Sequence, residues 1–149
     1  MIASNVMTKS PISLLQKGTI KDAIKLFHST RFHDFPIVDE QGRPVGSISA
    51  RAILHAAVPA YASEKLLAAM EGGPDIPSVY HNLENLAEKT IAEIMDQEIH
   101  SVHGNTPTSA VAAMLTHLHR DTSNIFVVDD QDKLIGTISA RDIVCRTAD

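Results

Sequence analysis

The stretch Pro36-Ile-Val-Asp-Glu-Gln-Gly-Arg-Pro-Val-Gly-Ser-Ile-Ser-Ala-Arg51 returns 90 residues later as Phe126-Val-Val-Asp-Asp-Gln-Asp-Lys-Leu-Ile-Gly-Thr-Ile-Ser-Ala-Arg141. Over positions 37–51, 8 of 15 residues are identical to their partners, and most of the others are conservative exchanges. A repeat of this length is one supersecondary unit used twice. Two copies in 149 residues predict a pseudo-twofold body with a cleft between its halves. Such a body has two potential sites, and differences between the copies indicate which one is retained.

Outward from the repeated stretch, each copy reads strand, helix, strand, strand, helix. In the first copy, Pro11–Leu15 is a short extended segment. Gly18-Thr19 then opens a helix, with Thr19 as N-cap and Asp22 three positions on as in a capping box. Ile20, Ala23, Ile24 and Phe27 form one apolar stripe. Phe35–Val38 is a strand, Gln41–Pro44 a turn, and Val45–Ile48 the hairpin return. Ser49 caps a helix from Ala50 to about Val58, which Pro59 ends. In the second copy, Ile99–Val102 is the first strand. Thr106-Pro107 predicts an N-cap followed by proline at the first helical position. Ala110, Val111, Met114, Leu115 and Leu118 make the stripe. Ile125–Val128 and Leu134–Ile138 are strands flanking an Asp129–Asp132 turn, and Ser139 caps the last helix. The second copy carries a few extra residues around Arg120–Asn124.

Residues 61–90 belong to neither copy. Ala62–Glu71 reads as a helix with Ser63 as a possible cap and Gly72-Gly73 as its stop. Asn82–Lys89 reads as a second short helix. A connector this long is either a packing helix pair covering a sheet edge or a lid or dimer contact. The expected organisation is therefore motif 1 over 1–60, a helical insert over 61–90 and motif 2 over 91–149, in a mixed α+β (α/β) fold.

The bulk properties exclude several classes. A hydrophobic fraction of 44% is that of a globular chain. The net charge of −5, with no long basic run, argues against nucleic acid or an anionic membrane as partner. One cysteine, Cys145, permits no intramolecular disulfide and suits a reducing compartment. No signal peptide and no stretch approaching a membrane span is visible. Cytoplasm is the expected location.

Val6-Met7-Thr8 leads into a run that ends Gly46-Ser-Ile-Ser49-Ala-Arg-Ala52, and Ile94-Met95-Asp96 leads into one that ends Gly136-Thr-Ile-Ser139-Ala-Arg-Asp142. Together with the Pro-Ile-Val-Asp strand, this closely resembles a tandem pair of CBS (cystathionine-beta-synthase) domains forming one Bateman module. The resemblance implies two motifs packed sheet to sheet, homodimers, and clefts that bind adenosine ligands such as AMP, ADP, ATP or S-adenosylmethionine. It implies a non-catalytic regulator that requires no cofactor and acts on an unidentified partner protein through dimer geometry. A ligand-free dimerisation scaffold is the alternative.

The site implied by the resemblance draws its tail motif from one copy and its adenine-facing strand residues from the other. It comprises Gly136, Ile138, Ser139, Arg141 and Asp142, with Ser13 and the segment Phe32, His33, Asp34, Phe35 and Pro36. The chemistry has a physical basis. A serine at a helix start, beside free N–H groups, suits a phosphate. An aspartate one turn on can accept hydrogen bonds from two ribose hydroxyls. Ser139-x-x-Asp142 is equally a capping box. The first copy has Ala52 where the second has Asp142, so one nucleotide per chain is expected, at the second copy's tail. Arg51 or Arg141 could reach a phosphate or simply be solvated. Asp34 either reads the exocyclic amine or faces solvent.

Eight histidines invite a metal reading that their spacing does not support. His117 and His119 point apart on a helix, and His100 and His103 sit on opposite strand faces. There is no His-Glu-x-x-His and no paired cysteine. His33 and His100 could contact a ligand or sense pH, or pack in the interior. Asp129-Asp130 reads as a turn and Cys145 as a small core residue. No nucleophile stands beside a base.

Overall fold

The computed structural model describes residues 1–58, 77–118 and 124–148. The predicted helix at 62–71, its Gly72-Gly73 stop, Pro59, His119 and the extra residues at 120–123 lie outside the described residues. Six α-helices and seven strands are described. The strands are β1 (Thr8–Lys9), β2 (Leu14–Leu15), β3 (Asp34–Val38), β4 (Pro44–Ser49), β5 (Ser101–His103), β6 (Asn124–Val128) and β7 (Leu134–Ser139). The helices are α1 (Ala3–Val6), α2 (Ile20–Ser29), α3 (Ala50–Ala57), α4 (Pro77–Ala87), α5 (Thr108–His117) and α6 (Ala140–Val144). This is the mixed α+β fold expected. One sheet has the order β1-β7-β6-β5, the other β2-β3-β4.

The repeat is visible in burial as well as in sequence. β3 and β6 share one pattern, a half-buried residue followed by four buried ones, and β4 and β7 share another. Continuous burial of Phe35–Val38 and Ile125–Val128 follows from their central place, with a parallel neighbour on one side and a hairpin partner on the other. The parallel registers correspond, Leu14 opposite Ile37 and Val102 opposite Val127.

Two compact units emerge. The first comprises Met1–Leu15, Pro36–Ser47 and the chain from Asp96 onward; the second comprises Gln16–Phe35 and Ile48–Met95. The first unit has its core in Ala3, Val6, Val102, Val111, Ile125, Val127 and Ile138, with Met7, Met114, Leu115, Leu118, Ile135 and Ile143 packed around it. In the second unit Ile20, Ala23, Ile53, Ala57, Leu86 and Ile91 are buried, and Phe27 meets Phe35 with ring centroids 4.9 Å apart. α4 packs on both α2 and α3, and Asn82 Nδ2 donates to the Ala57 carbonyl at the end of α3 (2.9 Å). The described part of the insert is thus a helix covering helices.

Each copy is preceded by a leader, Met1–Lys9 or Lys89–Gln97, and the leaders are exchanged. In the first unit Ala3 N–H donates to the Thr106 carbonyl (2.7 Å), Ser4 N–H to Gly104 (2.9 Å), and Thr108 N–H to Met1 (3.0 Å). In the second, Ile91 N–H donates to Gly18 (2.8 Å), Ala92 N–H to Gln16 (3.1 Å), and Ile20 N–H to Lys89 (2.9 Å). The copies are equivalent bond for bond. Each repeat docks the other's leader on the strand-to-helix turn that opens its first helix.

Several expectations need correction. The strand over Pro11–Leu15 shortens to Leu14–Leu15, leaving Ser13 outside it and exposed. The cause is Pro36. Its counterpart Phe126 donates its N–H to the His100 carbonyl (2.9 Å), a bond proline cannot make. Thr106 is not the cap of α5, which starts at Thr108 with Pro107 at the N-cap and no side-chain cap bond; the Met1 carbonyl meets the Thr108 amide instead. Ile24 is 37% exposed, so the buried face of α2 rests on Ile20 and Ala23. The helix predicted over Asn82–Lys89 is α4, which begins at Pro77 and ends at Ala87. Cys145 is exposed, not core, because α6 ends at Val144 and a 3-10 turn follows. α1 and β1 were not anticipated.

Candidate ligand site

The chemistry-bearing turn of the second copy lies wholly in the first unit. β7 delivers Ser139 in extended conformation (φ −106°, ψ 167°) to the start of α6. The Asp142 carboxylate folds back over this turn. Its Oδ2 accepts from Ser139 N–H (2.8 Å) and from the Ser139 hydroxyl (3.0 Å), while Asp142 N–H donates to Ser139 Oγ (3.3 Å). The capping box is complete. A third partner comes from the leader, where Thr8 Oγ1 donates to Asp142 Oδ1 (3.4 Å). β1 holds Thr8 there by antiparallel pairing, Thr8 opposite Thr137 and Lys9 opposite Gly136.

Gly136 and Ile138 are both buried beside this turn. Ile138 is a core side chain, fully enclosed. A Cβ on Gly136 would meet Met7 and the Thr8 carbonyl oxygen (3.0 Å), so the missing side chain admits the leader strand. Arg141 projects outward and is exposed. Ser13 is exposed and Pro36 buried in the same unit; neither has a hydrogen bond to the Ser139–Asp142 turn.

The segment from Phe32 to Phe35 belongs to the second unit. Phe32 is 58% exposed and stacks edgewise on buried Phe35 (6.0 Å). His33 is exposed, and its carbonyl accepts from Ala50 N–H (3.3 Å). Asp34 is half-buried at the start of β3. Ser49 in that unit repeats half of the second copy's arrangement. Its Oγ accepts from Ala52 N–H (3.0 Å), and Ala52 has no carboxylate to answer.

Thr8 is the partner of Asp142 that motif reading missed. The Met-Thr lead stands in the sequence, but nothing local shows that its hydroxyl reaches an aspartate 134 positions away. Among the described residues no group of three or more His, Cys, Asp or Glu could hold a metal ion, and no helix is long and apolar enough to cross a membrane.

A family model of the CBS domain matches residues 3–59 and again 91–148. This chain belongs to the CBS domain family. The CBS pair is a regulatory module, here with the two matches separated by the insert. A CBS domain-containing protein from Kribbella flavida shares the fold, with a TM-score of 0.80 at 20% identity over 100% of this chain and 99% of its own. The CBS-pair protein CBSX2 from Arabidopsis thaliana superposes with a TM-score of 0.75 at 19% identity, covering 99% of this chain and 93% of its own. CBSX2 has also been solved in complex with AMP (TM-score 0.68, 19% identity, 99% of this chain and 95% of that one). Among curated proteins, L-aspartate semialdehyde sulfurtransferase of Methanocaldococcus jannaschii is 26% identical over 142 residues, 95% of this chain. The chain spans only 22% of that enzyme's length.

Proposed function

We propose that this CBS pair is a non-catalytic sensor that binds one adenosine ligand per chain at the Ser139–Asp142 turn. AMP, ADP, ATP and S-adenosylmethionine are the candidates. The proposed ribose anchor is Asp142, and the Ser139 hydroxyl with the first amides of α6 faces a phosphate. Ser13, Phe32, His33, Asp34, Phe35, Pro36, Gly136, Ile138 and Arg141 complete the proposed set. The observation that carries this reading is the difference between copies: the serine is kept in both, but the aspartate only in the second. The AMP complex of the CBSX2 relative supports the ligand class. The output would be a shift between two packings of a homodimer, passed to a regulated protein, driven by the ligand's differential affinity for them. The single cysteine supports a cytoplasmic setting.

A thermal-shift series with the four ligands, on wild type and Asp142→Ala, tests the reading. A ligand that binds only the native state stabilises it by about 2.7 kcal/mol at a hundredfold excess over its Kd. Asp142→Ala also removes half a capping box, which costs about 1 kcal/mol, so the quantity compared is the ligand-induced rise in each variant. The expected result is a ligand-specific rise in wild type that the variant loses. An equal rise in both would refute the site. A flat response from wild type to all four ligands, together with a stable dimer, would favour the scaffold.

A further inference from the structure

The capping box limits what Asp142 can offer. Oδ2 already accepts from Ser139 N–H at 2.8 Å and from the Ser139 hydroxyl at 3.0 Å. A carboxylate oxygen has about two acceptor positions, so the cap occupies both of those on Oδ2. Among the described residues Oδ1 accepts only from Thr8 Oγ1, at 3.4 Å, which leaves one position open. A vicinal diol needs two acceptors, and Asp142 alone supplies one.

Thr8 supplies the other. A hydroxyl that has donated its hydrogen still has two lone pairs. Asp142 Oδ1 and Thr8 Oγ1 therefore present two acceptors 3.4 Å apart, a separation that a pair of adjacent ribose hydroxyls can bridge. Thr8 is exposed and Asp142 half-buried, so both are accessible. The repeat contains its own control. The first copy's second hairpin strand pairs Ser47 with Asp96 as β7 pairs Thr137 with Thr8. Asp96 therefore stands at Thr8's position, and its Oδ1 accepts from Glu98 N–H (2.9 Å), closing its own turn. The hydroxyl–carboxylate pair is built only beside the aspartate that was kept.

We propose that Thr8 is a specificity-determining residue of the ligand site, reading a ribose diol jointly with Asp142. This assignment rests on the adenosine reading above. It places part of the site on the leader that precedes the first copy. It also makes diol recognition depend on how β1 lies against β7.

Isothermal titration of wild type, Thr8→Val and Thr8→Ser with AMP, 2′-deoxy-AMP and 3′-deoxy-AMP tests it. Wild type is expected to bind AMP several-fold more tightly than either deoxy analogue. Thr8→Val, which keeps shape and removes the hydroxyl, should weaken AMP about 3- to 10-fold, the range of one neutral hydrogen bond. It should leave one of the deoxy analogues unchanged, and Thr8→Ser should restore the wild-type pattern. Thr8→Val with wild-type AMP affinity, or with all three ligands weakened by one factor, overturns the assignment while leaving the adenosine reading standing. Failure of wild type to bind AMP, ADP, ATP and S-adenosylmethionine alike overturns both.

Discussion

Gly136 is where the leader and the hairpin strand β7 come closest. Any Cβ there would lie 2.9 Å from Met7 Cγ and 3.0 Å from the Thr8 carbonyl. Met7 can swing aside, but the Thr8 backbone cannot move without disturbing β1. Gly136→Ala is expected to lower stability by about 1–3 kcal/mol, as overpacking does, read from urea midpoints. Two other residues carry a pH signature. The backbone amide of Arg43 heads the causes that hold the Asp39 carboxyl below its ordinary range, and the amide of Lys133 does the same for Asp129. Their carboxylates accept from these amides at 2.9 Å and 3.0 Å. A carboxyl with a depressed folded-state pKa gives its stability above the unfolded value, and that contribution is lost as pH falls below about 4. The double variant Asp39→Asn, Asp129→Asn should accordingly show a smaller fall in melting temperature between pH 6 and pH 3 than wild type. The turn role of Asp129 was legible from its place between two apolar runs. The role of Thr8 was not, because its partner is remote in sequence.

Among the elements, those whose signals are self-contained match their reading. α2 begins where Thr19 and Asp22 exchange cap bonds of 3.3 Å and 3.1 Å, a pattern written within four residues. The hairpins follow their turn chemistry. Gly42 takes φ +82°, and Asp132 accepts φ +62° at the equivalent place, a conformation aspartate tolerates better than most residues. The elements that departed from expectation did so where a distant segment intervenes. α5 begins at Thr108, where the Met1 carbonyl meets its first amide, and β2 is short because Pro36 cannot donate. α1 and β1 have little apolar periodicity to announce them, and they exist because the second copy receives them. At the candidate site, the Ser139–Asp142 cap was legible because the repeat keeps the serine and sets Asp142 against Ala52.

For the molecule as a whole, the exchanged leaders matter most. Residues 1–58 contain the first copy complete in sequence but not in structure. Cut there, the Gln16 and Gly18 carbonyls lose their donors, Ala92 and Ile91, and Ala3 and Ser4 lose the acceptors Thr106 and Gly104. Buried or half-buried backbone groups without partners are costly. The fragment 1–58 is expected to show no cooperative melt by far-UV circular dichroism. Mixing it with the fragment 59–149 should recover both helical signal and a single transition. A cooperative melt from 1–58 alone would show that the leader contacts are dispensable. The same exchange bears on how such a chain arises. A gene encoding one copy would make a polypeptide whose leader fits only another molecule's turn, so the ancestral form would be complete only as a pair of chains that trade their first residues. Duplication and fusion would convert that encounter between two molecules into a property of one.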